Sequence, residues 1–577
     1  MTPARPRTAS LAAARSGLLA AVLALALLAG CAAIPTAGPV RQGGEDVVYA
    51  GDIGIIASGP ANDAEPEDIV HGFLLAAEAG PTSTVPFAVA REYLIGAAQT
   101  SWQPYDQVFV LDGPLQVGSP EIADDSPNRA VVRATGTVVA SVDARGVYTE
   151  EPVPTRREVT FELARTDGQW RILTLEDGLL MPAQVFTSTF HRTRLYFPTP
   201  DWQYWVPDQR WFPQQTWRTN AVQELLTGPP DWMGGAATNV LPPGTALAVN
   251  SVTMDDDGRY QVPLTDHVGN ASGEERGMFA AQVQATLTTG AVGGSRVTLL
   301  DSTGPVVPVE VPQPRIPRTP GQALVLHGGR FWTIVGRGLQ IHPLQPDLSE
   351  MNPTAMAVGQ DTETVVLRDD SSRLVRVSDE EPTVLLEGSN LIGPSIDRFG
   401  YVWSGESDGR VVAVAPDGTV QPLSAHWLED RQVLSVSVSP EGARVAIVST
   451  GADGTFAQVA GIVRDGRVPV VLAPPVTVGP GVRAVHQAVW QDETVLAIRA
   501  GTAGQSGVYL AGIGGLGPGG GGLTRKLPGA TNVALLTASV GSGMILALSS
   551  EGLLQLHQTS SVWPDVSPRV TLMAFPG

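Results

Sequence analysis

The feature that most constrains the fold is the repetitive pattern of the C-terminal part of the chain. From Gly321 onward, short runs of Val, Leu, Ile and Ala alternate with turns rich in Gly, Asp, Ser and Pro, and no helical period interrupts them. Comparable units recur at about 30 to 45 residues. The six candidate units are Leu324–Leu344, Thr354–Gly388, Gly393–Leu423, Val433–Leu472, Val485–Leu527 and Val533–Phe575. Because radial repetition of four-stranded sheets hides most sheet edges, the pattern predicts an all-β propeller of about six blades over residues 322–577. A two-sheet sandwich is the alternative.

The N-terminus has the composition of an export signal. Positive charge comes from Arg5, Arg7 and Arg15, and Leu18–Ala29 is an apolar run of the length expected of a signal peptide and too short for a membrane span. The run ends in Leu28-Ala29-Gly30-Cys31, which resembles a lipobox, the motif at which a lipoprotein signal peptidase cleaves. A buried core cysteine and an uncleaved anchor helix remain as alternatives.

The lipobox resemblance implies a defined anchor. Residues 1–30 would be the signal peptide, cleavage would fall between Gly30 and Cys31, and Cys31 would carry an S-diacylglyceryl group and an N-acyl group. Two or more acyl chains hold a protein firmly on a membrane, whereas a single chain binds reversibly. Residues 31–65 are rich in Gly, Pro, Ala and acidic residues, so they are predicted to form a flexible stalk.

The charge balance excludes one class of partner. The chain has 37 basic and 57 acidic residues, a net charge of −20, without a basic run. Nucleic-acid binding depends on basic surfaces that displace phosphate counterions. We therefore expect no nucleic-acid partner.

Residues 66–187 predict a small α+β domain. Pro66, followed by two acidic residues, suits a helix start, and alternating extended segments follow from Gln107 onward. Asp167-Gly168 is a hairpin signal between the last two of these segments.

Residues 190–310 predict a second α+β domain. A short helix is expected from Asn220, as its capping residue, to Gly228, and a second helix from Ser272, with Glu275 at capping-box spacing. The region resembles the GerMN domain, a β-α-β-β-α-β module of exported proteins. The pieces that carry the resemblance are Tyr196-Phe197-Pro198, Ala221-Val222 with Leu225-Leu226 and Gly228-Pro229, Leu241-Pro242-Pro243-Gly244, and Gln282 with Thr286-Leu287. The proline-rich residues 311–321 are predicted to form a stiff linker to the propeller.

Motifs that could carry chemistry are interpreted as turns. Gly405–Gly409 fits G-x-S-x-G as a string, but a strand follows it where a nucleophile elbow needs a helix. Asp255–Gly258 lacks the bidentate glutamate of a calcium loop. The eight histidines are scattered and there is one cysteine, so no zinc motif is present in the sequence. We predict no catalytic residues, no metal site and no cofactor.

One aromatic cluster is a candidate partner or ligand surface. Trp202, Tyr204, Trp205 and Trp211 fall close together, and aromatic side chains stack on sugars and dominate protein-binding hot spots. Packing within a hydrophobic core is the other interpretation of the same residues.

The order of lipobox, α+β domain, GerMN-like domain and propeller resembles the LpqB family of actinobacterial lipoproteins. The resemblance implies a non-enzymatic protein, lipid-anchored at the extracytoplasmic face of the cell membrane. It also implies a partner, the extracellular domain of an MtrB-like sensor histidine kinase of a two-component system that controls cell-wall homeostasis and cell division. The alternative function is a propeller lipoprotein that binds or processes cell-wall glycan, with peptidoglycan as its partner.

Overall fold

The computed structural model describes residues 57–83, 85–288, 296–336, 338–502, 504–516, 522–557, 562–566 and 569–577. All of these belong to one compact unit of the chain. The predicted signal peptide, its cleavage position between Gly30 and Cys31, the lipidated Cys31 and most of the predicted stalk lie outside the described residues.

The N-terminal domain combines helices with a mostly antiparallel sheet of six strands. Its helices are α1 (Pro66–Ala79), α2 (Ala88–Glu92), α3 (Ala97–Ser101) and α4 (Ala183–Thr189). Its strands are β1 (Gln107–Leu111), β2 (Gln116–Val117), β3 (Arg129–Asp143), β4 (Tyr148–Thr166), β5 (Gln169–Thr174) and β6 (Leu179–Pro182). The sheet order is β5-β4-β3-β1-β6, with β2 paired to β3. Helix α1 begins at Pro66, and Asp167-Gly168 forms the hairpin between β4 and β5, both as the sequence predicts.

The middle domain combines a long hairpin with a small mixed sheet and two helices. Its strands are β7 (Phe190–Pro198), β8 (Trp205–Pro213), β9 (Thr253–Met254), β10 (Tyr260–Pro263), β11 (Val297–Asp301) and β12 (Gly304–Val306). Its helices are α5 (Trp217–Thr227) and α6 (Gly273–Leu287). The predicted capping box at the start of α6 is confirmed, since the Ser272 hydroxyl accepts from the Glu275 amide and the Glu275 carboxylate accepts from the Ser272 amide.

The start of helix α5 differs from the prediction. Asn220 does not cap it, because the helix begins three residues earlier at Trp217, with Thr216 at the N-cap position. Trp217 is buried and supplies packing energy that extends the helix beyond the residue with the best capping chemistry. The end is as predicted: Gly228 stops the helix with a positive φ of 99°.

Six sheets follow one another along the C-terminal part of the chain, one for each predicted unit. Their strands, blade by blade, are β13 (Leu324–His327), β14 (Arg330–Val335) and β15 (Gly338–Ile341), joined by β36 (Leu572–Ala574) from the C-terminus; β16 (Pro353–Val358), β17 (Val365–Asp369), β18 (Arg373–Val377) and β19 (Thr383–Glu387); β20 (Ser395–Ile396), β21 (Val402–Gly405), β22 (Val411–Val414) and β23 (Val420–Pro422); β24 (Gln432–Val438), β25 (Arg444–Gly451), β26 (Gly454–Asp465), β27 (Val468–Leu472) and β28 (Val476–Val478); β29 (Val485–Trp490), β30 (Val495–Ala500), β31 (Gly507–Gly512) and β32 (Arg525–Leu527); and β33 (Val533–Ala538), β34 (Ile545–Ser549) and β35 (Leu554–His557).

The propeller ring is closed by a strand from the C-terminus. Strand β36 leaves the sixth unit and pairs antiparallel with β13 of the first, so that Leu324 lies opposite Ala574. The sixth predicted unit, which ran to Phe575, is therefore too long by one strand. The propeller of about six blades is confirmed, and six separate sheets exclude the two-sheet sandwich.

Candidate interaction site at the three-domain junction

The β7–β8 hairpin lies where the N-terminal domain, the middle domain and the propeller meet. All nine residues of β8 are buried, including the polar Asp208, Gln209 and Arg210. Alternate residues of a strand point to opposite faces. Strand β8 is buried along its whole length because the N-terminal domain, the propeller and the core of the middle domain all pack against the hairpin.

Two of the four predicted surface aromatics are in the core. Trp211 is 1% exposed and packs in the N-terminal domain against Phe186, at 4.9 Å between ring centroids. Its indole Nε1 donates to the backbone oxygen of Gly514 in the propeller at 2.9 Å. Trp205 is 3% exposed in the core of the middle domain. The prediction that these two residues form a partner or ligand surface is wrong, because domain packing covers them.

The other two aromatics lie at the tip of the hairpin. Trp202 and Tyr204 are half-buried. The guanidinium carbons of Arg315 and Arg398 lie 4.9 and 5.0 Å from the centroid of the Tyr204 ring. Cation–π contacts of this kind hold an aromatic ring in place. Tyr204 therefore helps to attach the hairpin tip to the linker and to the propeller.

A charged network joins the hairpin to the turn that follows β29. Arg194 Nη2 donates to Asp492 Oδ2 at 2.8 Å, and the Tyr196 hydroxyl donates to Glu493 Oε2 at 2.9 Å. Burial raises the pKa of the Glu493 carboxyl and that of the Tyr196 hydroxyl. A buried carboxylate that loses its hydrogen-bond donor is costly, so these contacts favour one fixed arrangement of the two domains.

A second network joins the N-terminal and middle domains. The buried Arg210 donates to Asp208 Oδ2 at 2.7 Å and to the backbone oxygen of Arg145 at 3.0 Å. Arg145 in turn donates to Glu224 Oε2 at 2.9 Å. Burial raises the pKa of the Asp208 carboxyl. The two networks lie at different contacts of the same hairpin and together fix all three domains.

An open cleft of ≈ 560 Å³ lies beside the hairpin, where the three domains meet. Glu150 of the N-terminal domain lines it and accepts hydrogen bonds from the amide and hydroxyl of Thr524 in the propeller, at 3.1 and 2.6 Å. Burial raises the pKa of the Glu150 carboxyl. The cleft carries groups of both charge signs, since Arg145 and Asp208 also line it. Most of the lining is nevertheless apolar, and no nucleophile–base pair is seen among its described residues.

The motifs interpreted as turns are turns. Gly405–Gly409 leads from β21 into β22, and Asp255 Oδ1 accepts from the amides of Asp257 and Arg259. Within the described ranges, no group of three or more His, Cys, Asp or Glu side chains could hold a metal ion. No helix in the same ranges is long and apolar enough to cross a membrane.

Three family models match successive parts of the chain. The lipoprotein LpqB N-terminal domain matches residues 59–187, the sporulation and spore germination (Germane) domain matches residues 194–300, and the lipoprotein LpqB beta-propeller domain matches residues 329–575. The chain belongs to the LpqB lipoprotein family. The matched order is the one that the sequence predicts.

Relatives named Lipoprotein LpqB match most of the chain. The protein from Bifidobacterium longum is 27% identical over 71% of this chain and 71% of its own length. The protein from Cutibacterium acnes is 25% identical over 96% of this chain and 97% of its own. Among solved structures, a putative TolB from Agrobacterium tumefaciens covers 44% of this chain and 90% of its own, at 11% identity and a TM-score of 0.31.

Sequence reasoning missed the junction networks. Arg194 and Asp492 are 298 residues apart in the chain, and Tyr196 and Glu493 are 297 apart. No spacing rule links such positions, because the domain arrangement alone brings them together. The one available signal was the number of polar residues inside the otherwise apolar hairpin.

Proposed function

We propose that the protein is a non-enzymatic lipoprotein, anchored by Cys31 at the extracytoplasmic face of the cell membrane, that binds and modulates the extracellular domain of an MtrB-like sensor histidine kinase. Through this kinase it would influence a two-component system that controls cell-wall homeostasis and cell division. Membership of a lipoprotein family and the sequence Leu28-Ala29-Gly30-Cys31 support the anchor.

The observation that carries the binding role is the fixed junction of the three domains. An enzyme needs an assembled set of reacting groups, whereas a binding protein needs a large surface held in one shape. Hydrogen bonds from buried side chains of the β7–β8 hairpin connect all three domains, as from Arg210 to the backbone oxygen of Arg145 and from Tyr196 to Glu493. A body held in this way can bind a partner without first ordering its domains, which reduces the entropic cost of association.

Cross-linking in intact cells, followed by capture of the full-length protein from detergent-solubilised membranes, tests the partner. We expect the kinase to be recovered with the protein. Capture of intact lipoprotein without any sensor kinase, after cross-linking that recovers other membrane neighbours, would contradict the proposal. Recovery of peptidoglycan fragments instead would favour the glycan-binding alternative.

The variant Cys31→Ala tests the anchor separately. It removes the only thiol in the chain and thus the only group able to form the thioether. We expect loss of acyl labelling and release of the protein from washed membranes. The matched control is Ser58→Ala, which lies beyond the lipobox. This variant should keep both the acyl labelling and the attachment to washed membranes. If Cys31→Ala stays labelled and membrane-bound, the lipid anchor is wrong even if the kinase is recovered.

A further inference from the structure

The axial cavity of the propeller has a volume of ≈ 270 Å³ and is lined mainly by the innermost strands of the blades. Two lining residues come from the second strands instead: Arg368 of β17 and Arg499 of β30. Since an innermost strand separates each of these from the axis, it is their long side chains that reach the cavity.

The two arginines occupy equivalent positions in different blades. In four blades the innermost strand begins with a β-bulge, at Pro353/Ala355, Val433/Ser435, Val485/Gln487 and Val533/Leu535. In each of these blades the residue that follows the bulge pairs with one residue of the second strand. These second-strand residues are, in blade order, Arg368, Val448, Arg499 and Leu548. Arg368 is in the second blade and Arg499 in the fifth. Blades three positions apart in a ring of six lie on opposite sides of the axis, so the two arginines approach one end of the cavity from opposite sides.

This end of the cavity is the one that faces away from the other domains. The bulges lie where the innermost strands begin, whereas Asp492 and Glu493, which bind the middle domain, lie in the turn where β29 has ended. The bulge residue of the fourth blade, Leu434, is 37% exposed. We call this end, defined by Arg368, Arg499 and the bulge residues Leu434 and His486, the distal mouth.

Neither arginine has a carboxylate partner in the part of the chain that the structure describes. Arg368 donates to the Thr354 hydroxyl at 2.9 Å and to the Leu391 backbone oxygen at 2.8 Å, both neutral acceptors. Arg499 makes no hydrogen bond or ion pair to any residue in the described ranges, and its Nε is buried without an acceptor. Burial lowers the pKa of both guanidinium groups.

Three arginines with almost fully buried side chains have carboxylate partners. Arg210 is paired with Asp208, Arg444 with Glu441 and Arg464 with Asp397, at 2.7, 2.6 and 2.6 Å. Buried charges in proteins are ordinarily paired, because an unpaired one is costly. Arg368 and Arg499 are half-buried, and both line one cavity mouth without a carboxylate partner within the described residues, in a chain of net charge −20.

We propose that the distal mouth binds the oxoanion group, carboxylate or phosphate, of a small ligand between Arg368 and Arg499. Guanidinium groups present a planar fork of donors that matches both anions. The Nε of Arg499 would gain its missing acceptor. The size of the cavity suits a small molecule. This site is separate from the proposed kinase interaction, and either proposal can fail without the other.

The test uses the full-length protein in detergent, with inorganic phosphate and citrate as separate probes in a buffer of low chloride. Calorimetric titration gives the affinity, and the melting temperature gives an independent measure, because a ligand that binds only the folded state raises it. Binding of phosphate alone, of citrate alone or of both would support the site and identify the anion class.

Arg499→Gln is the informative variant because Arg499 holds no other residue in place. We expect about tenfold or greater loss of affinity, the usual effect of losing a hydrogen bond to a charged group. Without ligand, its melting temperature should equal or exceed that of the wild type, which a structural role would not predict. Arg499→Lys keeps the charge and loses the fork, so its affinity should be intermediate.

Arg410→Gln is the matched control. Arg410 lies in the turn between β21 and β22 at the same end of the propeller, is 71% exposed and is already paired with Asp408 at 2.8 Å. Its loss should leave binding unchanged. If neither probe binds up to roughly 10 mM, or if Arg499→Gln binds as tightly as Arg410→Gln, the proposal is overturned.

Discussion

The contact between the middle domain and the propeller depends on the absence of one side chain. Gly461 of β26 lies beneath the 3₁₀ turn Asp231–Ala236 of the middle domain. A β-carbon at Gly461 would lie 2.0 Å from the backbone oxygen of Met233 and 2.5 Å from its carbonyl carbon. Those atoms belong to the backbone and cannot rotate away. We therefore predict that Gly461→Ala loosens this domain contact.

The size of the effect follows from these distances. Ordinary van der Waals contact begins at 3.4 Å, so the 2.0 Å approach requires the turn to move away by about 1.4 Å. Met233 and Ala236, both buried, would lose part of their packing against the propeller. Inserting one methyl group into a tight contact costs about 1–3 kcal/mol, and a backbone neighbour places this site at the upper end.

Gly235→Ala is the matched control. Gly235 lies in the same 3₁₀ turn, and its added β-carbon would meet Val463 of β26 at 3.5 Å, an ordinary contact. We expect a lower melting temperature and faster amide hydrogen exchange in 231–236 for Gly461→Ala, with little change for Gly235→Ala. Equal melting temperatures and equal exchange for the two variants would refute the close packing of turn and strand.

Two further predictions concern buried polar groups. Burial raises the pKa of Glu78 in α1 from 4.5 to about 7, so its stabilising contribution is complete below pH 4.5 and is lost as the pH rises through 7. Glu78→Gln should therefore unfold with a free energy about 1–2 kcal/mol higher than that of the wild type at pH 8, a value discounted for partial exposure, and with the same free energy at pH 4.5. Urea unfolding at the two pH values measures this difference. A difference that does not change with pH would contradict the prediction. Tyr196→Phe removes the donor to Glu493 and should cost about 1–3 kcal/mol in the same assay. Tyr105→Phe, whose hydroxyl bonds no residue in the described ranges, should cost less, and equal losses would argue against the Tyr196 hydrogen bond.

Local patterns in the sequence were sufficient for much of the fold. Alternating apolar runs and turns predicted each blade, and the Ser272–Glu275 spacing predicted the start of α6, because strands, turns and caps depend on residues close in the chain. The closing pair of β13 and β36 could not be predicted in this way. It joins Leu324 to Ala574, and the alternation within each strand is compatible with many partners.

The candidate site was less predictable than the fold for a related reason. A cluster of aromatic residues has the same appearance in sequence whether it faces solvent or another domain, and the burial of Trp205 and Trp211 is decided by how three domains pack. The same holds for Arg499. Its lack of a carboxylate partner is visible only when the residues around it in space are known, since no neighbour in the chain fixes its environment.

Arginines at the domain junction and at the distal mouth differ in their hydrogen-bond partners. At the junction end, Arg398 donates to Asp201 of the middle domain at 2.7 Å, so its charge stabilises a contact within the protein. At the distal mouth, Arg368 and Arg499 have no such carboxylate among the described residues, so their charge would be available to the proposed ligand. Stabilising a fold favours pairing every buried cation, whereas binding an anion requires leaving one unpaired until the ligand arrives. Exposed arginines at the same end, such as Arg410, do have carboxylate partners, so the difference is confined to the two arginines that line the cavity.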